Sequence, residues 1–117
     1  MKILICGDRN WTSEISIRRK IEEYNPSLII HGCARGADRI AGEIGKDMGI
    51  EVLEFPANWD KYGKAAGPIR NEKMLKDGKP DMIIAFHKNI NLSRGTKDMV
   101  RRAKQSGKKC EIISRED

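Results

Sequence analysis

A chain of 117 residues has the length of one ordinary domain, and it is large enough to bury a core without disulfide bridges. Its residues are 38% hydrophobic and 34% charged, a balance that excludes intrinsic disorder, and no apolar run approaches the roughly 18 residues that a membrane span needs. The net charge of +6 favours anionic partners, although charge alone does not choose between nucleic acid, acidic proteins and small phosphates.

The amino terminus enters a strand-like run at once and shows no charged leader followed by a cleavage site. We therefore expect a cytoplasmic protein with no membrane partner. The three cysteines form no CxxC pair and no cluster with the two histidines, so we predict free thiols, no metal site and no cofactor.

Short apolar runs alternate with amphipathic segments along the chain. The runs predict strands at residues 2–6, 27–31, 50–55, 81–86 and 109–113. The first helix follows a cap at Thr12 or Ser13 and ends before Asn25, and later helices cover residues 37–48, 68–78 and 95–106. Residues 56–67 carry no clear periodicity, so we predict an irregular segment there that covers a site.

Strands that alternate with single helices imply right-handed crossovers and a parallel sheet. We therefore predict one α/β domain over residues 1–117. Its architecture should be a Rossmann-like three-layer sandwich, with a mainly parallel five-stranded sheet and helices on both faces. No second domain and no internal repeat is evident in the sequence.

In such a sheet, ligands bind in the crevice at the carboxyl ends of the strands, so the loops that follow the strands are the ones that matter for function. Each of these loops joins glycine to a basic or hydroxyl-bearing residue just before a helix, where free backbone N–H groups favour anions. The candidate ligand-binding residues are Gly7, Asp8 and Arg9; Gly32, Arg35, Gly36 and Asp38; Arg70 and Asn71; and Ser93, Gly95 and Thr96.

Arginine occurs once in each of the four loops, and its planar guanidinium binds phosphate in a bidentate manner. The four side chains belong to Arg9, Arg35, Arg70 and Arg94. We expect Arg70 and Arg9 to contribute most. Asp38 can either cap its helix or accept a hydrogen bond from a ribose hydroxyl, and the sequence leaves both roles open.

Several other side chains have two open interpretations. His31 and His87 stand at strand ends, where histidine serves either as an acid or base or as a satisfied structural residue. Trp11, Trp59 and Tyr62 lie in predicted loops, where an aromatic ring either stacks on a base or seals the edge of the core.

Taken together, these loops resemble the small YspA/YpsA-related branch of the SLOG superfamily. The resemblance covers nearly the whole chain, and it depends most on the HGxARGAD run at residues 31–38 and the GPxRN run at residues 67–71. The superfamily includes DNA-processing proteins of the Smf type and the Lonely Guy phosphoribohydrolases. The resemblance implies a Rossmann-like domain that binds nucleotides or nucleotide-derived ligands.

A comparison with the Lonely Guy enzymes implies two catalytic candidates. Arg70 resembles their phosphate-binding arginine, and Gly95-Thr96 resembles part of their PGGxGTxEE loop, which places Asp98 at the first catalytic glutamate. This chain departs from that pattern, because residues 91–94 replace the PGG turn and Met99 occupies the second acidic position.

Three functions of different classes follow from the residues and the resemblance. The first is a sensor or sequestering module for a nucleotide-like small molecule, and the second is a nucleotide N-glycosidase that uses Asp98 and Arg70. The third is a basic domain that binds nucleic acid, which we place last because no basic helix carries interleaved aromatic residues. Since related families commonly form dimers, we also expect a homodimer.

Overall fold

A computed structural model describes residues 1–116 as a five-stranded sheet between two layers of helices. The strands run in the order β3-β2-β1-β4-β5, and every neighbouring pair is parallel. The predicted Rossmann-like α/β fold is therefore confirmed. The strands are β1 (Lys2–Gly7), β2 (Leu28–His31), β3 (Glu51–Glu54), β4 (Met82–Phe86) and β5 (Lys109–Ile113).

The central strand β1 separates two hydrophobic cores. Its side chains alternate between the faces of the sheet, so Ile3 and Ile5 belong to one core while Leu4 and Cys6 belong to the other. Because both faces are covered, the strand reads as a continuous apolar run. The helices are α1 (Glu14–Tyr24), α2 (Ala37–Asp47), α3 (Trp59–Tyr62), α4 (Ala66–Gly78) and α5 (Gly95–Gln105).

The first two long helices pack on one face of the sheet, and α4 and α5 pack on the other. The ends of α1 follow the sequence signals closely. The Ser13 hydroxyl accepts a hydrogen bond from the backbone N–H of Ser16, and Asn25 adopts a left-handed conformation with φ of 44° before Pro26. None of the helices formed by residues 1–116 combines the length and apolar character needed to span a membrane.

The structure corrects the prediction for residues 56–67. We expected an irregular covering segment there, but residues 59–62 form α3, residues 63–65 form a 3₁₀ turn and α4 begins at Ala66. The Asn58 side chain caps α3 by accepting from the backbone N–H of Lys61. Arg70 and Asn71 lie inside helix α4, which agrees with the helix predicted over residues 68–78, and they reach the site from that helix and not from the loop before it.

The strand order creates a point at which the chain reverses its direction of winding. The connections from β1 run outward through β2 to β3, and β4 then returns to the other side of β1. The carboxyl ends of β1 and β4 therefore flank an open crevice.

Candidate functional site

A cleft of about 330 Å³ opens at the carboxyl ends of β1 and β4. The loop after β1, the start of α5 and one face of α4 surround it. Arginine side chains and small residues dominate its walls, and the buried side chains of Met74 and Met99 lie next to it. The lining residues are Cys6, Gly7, Asp8, Arg9, Asn10, Ala34, Asp38, Arg70, Asn71, Met74, His87, Ser93, Arg94, Gly95, Thr96 and Met99. We call it the edge cleft.

Arg70 reaches the edge cleft from helix α4 and is held by neutral acceptors. Its Nη1 donates to the Gly32 carbonyl oxygen at 2.5 Å, and its Nε donates to the Asn71 side-chain oxygen at 3.0 Å. Its Nη2 has no protein acceptor among residues 1–116. The guanidinium is thus oriented, carries its full charge and retains a free donor.

Two glycines provide the space that this arrangement needs. A Cβ atom on Gly32 would lie 2.8 Å from Cζ of Arg70, so only glycine admits the guanidinium there. Gly36 has φ of 84°, and a Cβ atom on it would lie 2.6 Å from the carbonyl carbon of Arg9. The absence of a Cβ atom at these two glycines therefore admits atoms of the protein itself.

Asp38 is the buried carboxylate of the edge cleft, with only 4% of its surface exposed. It accepts hydrogen bonds from the backbone N–H groups of Gly32 at 3.0 Å and Ala34 at 3.4 Å. Burial raises the pKa of Asp38 to about 6, although Arg70 and the backbone donors act in the opposite direction. Asp38 therefore shapes the loop after β2, and its side chain does not cap α2, whose N-cap is Gly36.

Arg9 and Arg94 stand on opposite loops of the edge cleft, and both are exposed. Neither guanidinium forms a hydrogen bond or an ion pair with another of the described residues 1–116. Asp8, which shares the loop of Arg9, instead accepts from the backbone N–H of Asn10 at 2.9 Å and faces His87 at 4.0 Å. The two arginines are consequently available to an anionic ligand.

The start of α5 closes the cleft on the side of β4. The Ser93 hydroxyl oxygen accepts from the backbone N–H of Thr96 at 3.0 Å, which leaves the hydroxyl hydrogen free to donate. Gly95 has no side chain, and the space where a Cβ atom would stand is open. The positive end of the helix dipole therefore faces the cleft without a bulky residue in front of it.

Asp98 lies on α5 but does not line the edge cleft. Its carboxylate accepts from Nδ2 of Asn71 at 3.0 Å, from Nε of Arg102 at 2.8 Å and from Arg101 at 2.6 Å. Burial raises the pKa of Asp98, but these three hydrogen bonds outweigh it and hold the pKa below its ordinary value. The carboxylate is thus engaged in fixing Asn71 and two arginines.

The histidines and cysteines show little sign of reactivity. His31 is buried, its Nδ1 accepts from the backbone N–H of Cys33, and burial lowers its pKa. Burial also raises the pKa of Cys33 to about 11, so its thiol stays protonated. Trp11 is 1% exposed and packs edge-on against Phe86, so it belongs to the core and cannot stack on a ligand.

A second cleft of about 440 Å³ adjoins the edge cleft. The two share Arg9, Ala34 and Arg70. Among residues 1–116, four guanidinium groups and no carboxylate line it, and the half-exposed ring of Trp59 forms part of its wall. Its lining residues are Arg9, Gly32, Cys33, Ala34, Arg35, Arg39, Pro56, Ala57, Trp59 and Arg70. We call it the arginine cleft.

The structure brings most of the predicted site residues together. Gly32 and Arg35 line the arginine cleft, and Gly36 lines a third pocket that shares Arg9 and Arg35. Those that line the edge cleft are Gly7, Asp8, Arg9, Asp38, Arg70, Asn71, Ser93, Gly95 and Thr96.

The sequence analysis did not identify Met74, Met99 or Arg39 as lining residues. Met74 and Met99 occupy inward helix positions that also fit a plain core, so periodicity gave no signal for them. Arg39 follows Asp38 directly and could have been found as a fifth arginine near the sheet edge. Across residues 1–116 no group of three or more His, Cys, Asp or Glu residues is arranged to hold a metal ion.

Three comparisons relate this chain to known proteins. A family model described as "YspA, cpYpsA-related SLOG family" matches residues 1–62. The Gene 61 protein of Mycobacterium phage D29 is 32% identical over 116 aligned residues, which cover 91% of this chain and 90% of that protein. The crystal structure of DNA processing protein A (DprA) from Streptococcus pneumoniae superposes with a TM-score of 0.53 at 16% identity.

The superposition on DprA covers 98% of this chain and 59% of that protein, so this chain spans little more than half of its length. At this identity the likeness concerns the fold alone. The family match extends over more than half of the chain, and the phage relative aligns along nearly all of it. The chain therefore belongs to the YspA, cpYpsA-related SLOG family, a membership that indicates a nucleotide-related function.

Proposed function

We propose that this chain binds a nucleotide or a nucleotide-derived small molecule in the edge cleft, as a sensor or sequestering module. The observation that carries the proposal is the set of three guanidinium groups on that cleft. Arg9, Arg70 and Arg94 come from three different segments, and within residues 1–116 none of them forms an ion pair. Guanidinium groups that are not held in a salt bridge favour a phosphate group, although the carboxylates of Asp8 and Asp38 line the same cleft.

The volume of the edge cleft and the start of α5 also suit a nucleotide. A volume of about 330 Å³ lies within the range of small-molecule sites. The Ser93 hydroxyl, just before α5, can donate to a phosphate oxygen. The open start of α5 adds a favourable dipole for the same oxygen.

The geometry favours binding over N-glycosidic hydrolysis. A hydrolase of the predicted kind needs the Asp98 carboxylate beside the anomeric carbon, where it stabilises developing positive charge. In this chain that carboxylate lies outside the edge cleft and already accepts three hydrogen bonds. We accordingly assign Asp98 to positioning Asn71, which in turn accepts from Nε of Arg70.

Calorimetric titration with a panel of nucleoside mono-, di- and triphosphates tests the proposal. Arg70→Ala should weaken binding of any true ligand by about 10- to 150-fold, because a lost charge-assisted contact costs roughly 1.5 to 3 kcal/mol. Arg101→Ala is the matched control, since that arginine is exposed, belongs to α5 and does not line the edge cleft. A folded Arg70→Ala protein that binds like Arg101→Ala would show that the site is misplaced.

A further inference from the structure

We infer that the arginine cleft is a second nucleotide subsite, so that the preferred ligand is a dinucleotide, meaning two nucleotide units joined through phosphate. The inference rests on the proposed function, because the first unit occupies the edge cleft. Arg9 and Arg70 line both clefts, so a linking phosphate at their common boundary would contact the same two guanidinium groups from either side.

The charges of the two clefts differ. The edge cleft contains the carboxylates of Asp8 and Asp38 beside its arginines, whereas none of the carboxylates within the described residues 1–116 lines the arginine cleft. Glu54, which accepts from the Cys33 thiol next to this cleft, also pairs with Lys46. The arginine cleft therefore has the larger uncompensated positive charge and suits a group with more than one negative oxygen.

Its arginines are oriented by neutral acceptors, as Arg70 is. Nε of Arg39 donates to the Cys33 carbonyl oxygen at 3.3 Å, and Cys33 itself adopts a left-handed conformation with φ of 64°. Nε of Arg35 donates to the Arg9 carbonyl oxygen at 3.3 Å, and its Nη2 donates to the Asn10 side-chain oxygen. Carbonyl and amide oxygens fix these side chains without cancelling their charge.

Trp59 supplies what a base needs at the other wall. Half of its surface is exposed, which is unusual for the largest apolar side chain. The ring lies next to α4, because a Cβ atom on Gly67 would meet Cη2 of Trp59 at an ordinary contact distance of 3.5 Å. The ring is thus seated on α4 and still presents surface to the cleft. An aromatic face beside arginines is a usual stacking platform for a nucleobase.

The two tryptophans make the inference directly measurable. Trp11 is buried in the core, and Trp59 lines the arginine cleft. A ligand that stacks on Trp59 should quench its fluorescence, while the Trp11 signal, measured alone in Trp59→Phe, should stay constant. A mononucleotide that occupies only the edge cleft should bind by calorimetry with little quenching.

The test compares adenosine monophosphate with two diadenosine compounds, one linked by a 5′,5′-pyrophosphate and one by a 3′,5′-phosphodiester, together with the guanosine, cytidine and uridine series. For at least one base, a dinucleotide should bind about tenfold or more tightly than its mononucleotide, since stacking and phosphate contacts are added. The linkage that gives the tighter binding shows whether the natural ligand is joined by a pyrophosphate or by a phosphodiester.

Arg39→Gln separates the two subsites, because Arg39 lines the arginine cleft and not the edge cleft. It should remove the dinucleotide advantage and leave mononucleotide affinity unchanged, with Arg101→Gln as the control. If dinucleotides bind no tighter than mononucleotides, or if Arg39→Gln leaves their advantage intact, the second subsite is refuted while the proposed function stands. If no nucleotide of either kind binds, both fall together.

Discussion

Two groups of arginines in this protein differ in what holds them. At the carboxyl edge of the sheet, Arg35, Arg39 and Arg70 donate to backbone carbonyl or side-chain amide oxygens. Arg101 and Arg102 on α5 instead contact the Asp98 carboxylate at 2.6 and 2.8 Å. The residue type is the same, yet the second group is paired with a carboxylate and the first is not.

The difference shows how a basic protein reserves part of its charge for a ligand. A neutral acceptor restricts the rotamers of an arginine and leaves its field intact, whereas a carboxylate restricts the rotamers and cancels the field. The net charge of +6 therefore says less about the site than the partner of each guanidinium does. Substitutions at Gly32, Asp98 and Asp38 therefore test this difference between the two groups of arginines.

The largest effect should come from the residue that makes room for Arg70. In Gly32→Ala the new Cβ atom would stand 2.8 Å from Cζ of Arg70, so the guanidinium must shift from its present position beside the Gly32 carbonyl oxygen. We expect nucleotide binding to weaken about 10- to 100-fold, measured by calorimetry. Gly67→Ala is the control, because its Cβ atom meets only Trp59 at 3.5 Å. Equal affinities in the two variants would mean that the placement of Arg70 is irrelevant to binding.

The arrangement of the site could be predicted from the sequence where a simple rule applies. Parallel strands bring their carboxyl ends to one edge, and this rule alone selected the loops at residues 7–9 and 93–96. The strands themselves were readable because β1 and β4 are continuous apolar runs ended by Gly7 and His87. Local sequence therefore carried both the sheet and the edge.

The rest depends on contacts between distant residues. Residues 59–62 form a helix without an apolar stripe, and only the Asn58 cap could have indicated it. Gly32 and Arg70 are far apart in sequence, so no local pattern predicts that one makes room for the other. Nor does any local pattern predict that Asp98 accepts hydrogen bonds from Asn71 and two arginines, because these bonds require α4 and α5 to be packed side by side.

A second test removes the neutralising carboxylate. Asp98→Ala should lower the free energy of unfolding by about 2 kcal/mol in urea, because Asn71 and Arg102 lose a part-buried acceptor. Asp77→Ala is the control: it removes an exposed carboxylate of α4 that forms no ion pair within residues 1–116, so stability should change by less than about 0.5 kcal/mol. Equal stabilities would contradict a structural role for Asp98.

The same position decides between a binding module and a hydrolase. Asp98→Asn keeps the shape of the side chain, and in a hydrolase it should abolish release of free base while nucleotide binding persists. We expect the wild-type protein to release no base from nucleoside monophosphates, as followed by chromatography. Sustained release that disappears in Asp98→Asn would overturn the assignment of Asp98 to positioning.

The smallest expected change in affinity concerns Asp38, the buried carboxylate that lines the edge cleft. Burial raises the pKa of Asp38 from 3.8 to about 6, so the folded protein binds this proton more tightly than the unfolded chain does. The group therefore favours the folded state at low pH, and this contribution is lost as the pH rises from about 4 through 6. Across the same range the ionised form appears and partly opposes the charge of Arg70.

Anion binding should consequently strengthen when the pH falls from 8 to 5, by about three- to tenfold, because protonation of Asp38 removes one negative charge from the edge cleft. The probe is a 3′,5′-linked dinucleotide, whose phosphodiester keeps a constant charge over this range. Asp38→Asn should bind it more tightly than wild type at pH 8, since the amide removes the charge and still accepts from Gly32. The loss of pH dependence in that variant isolates Asp38 from His87, which lines the same cleft. If the affinity for the dinucleotide depends on pH in Asp38→Asn as it does in wild type, then the ionisation of Asp38 does not affect the binding of anions by the edge arginines.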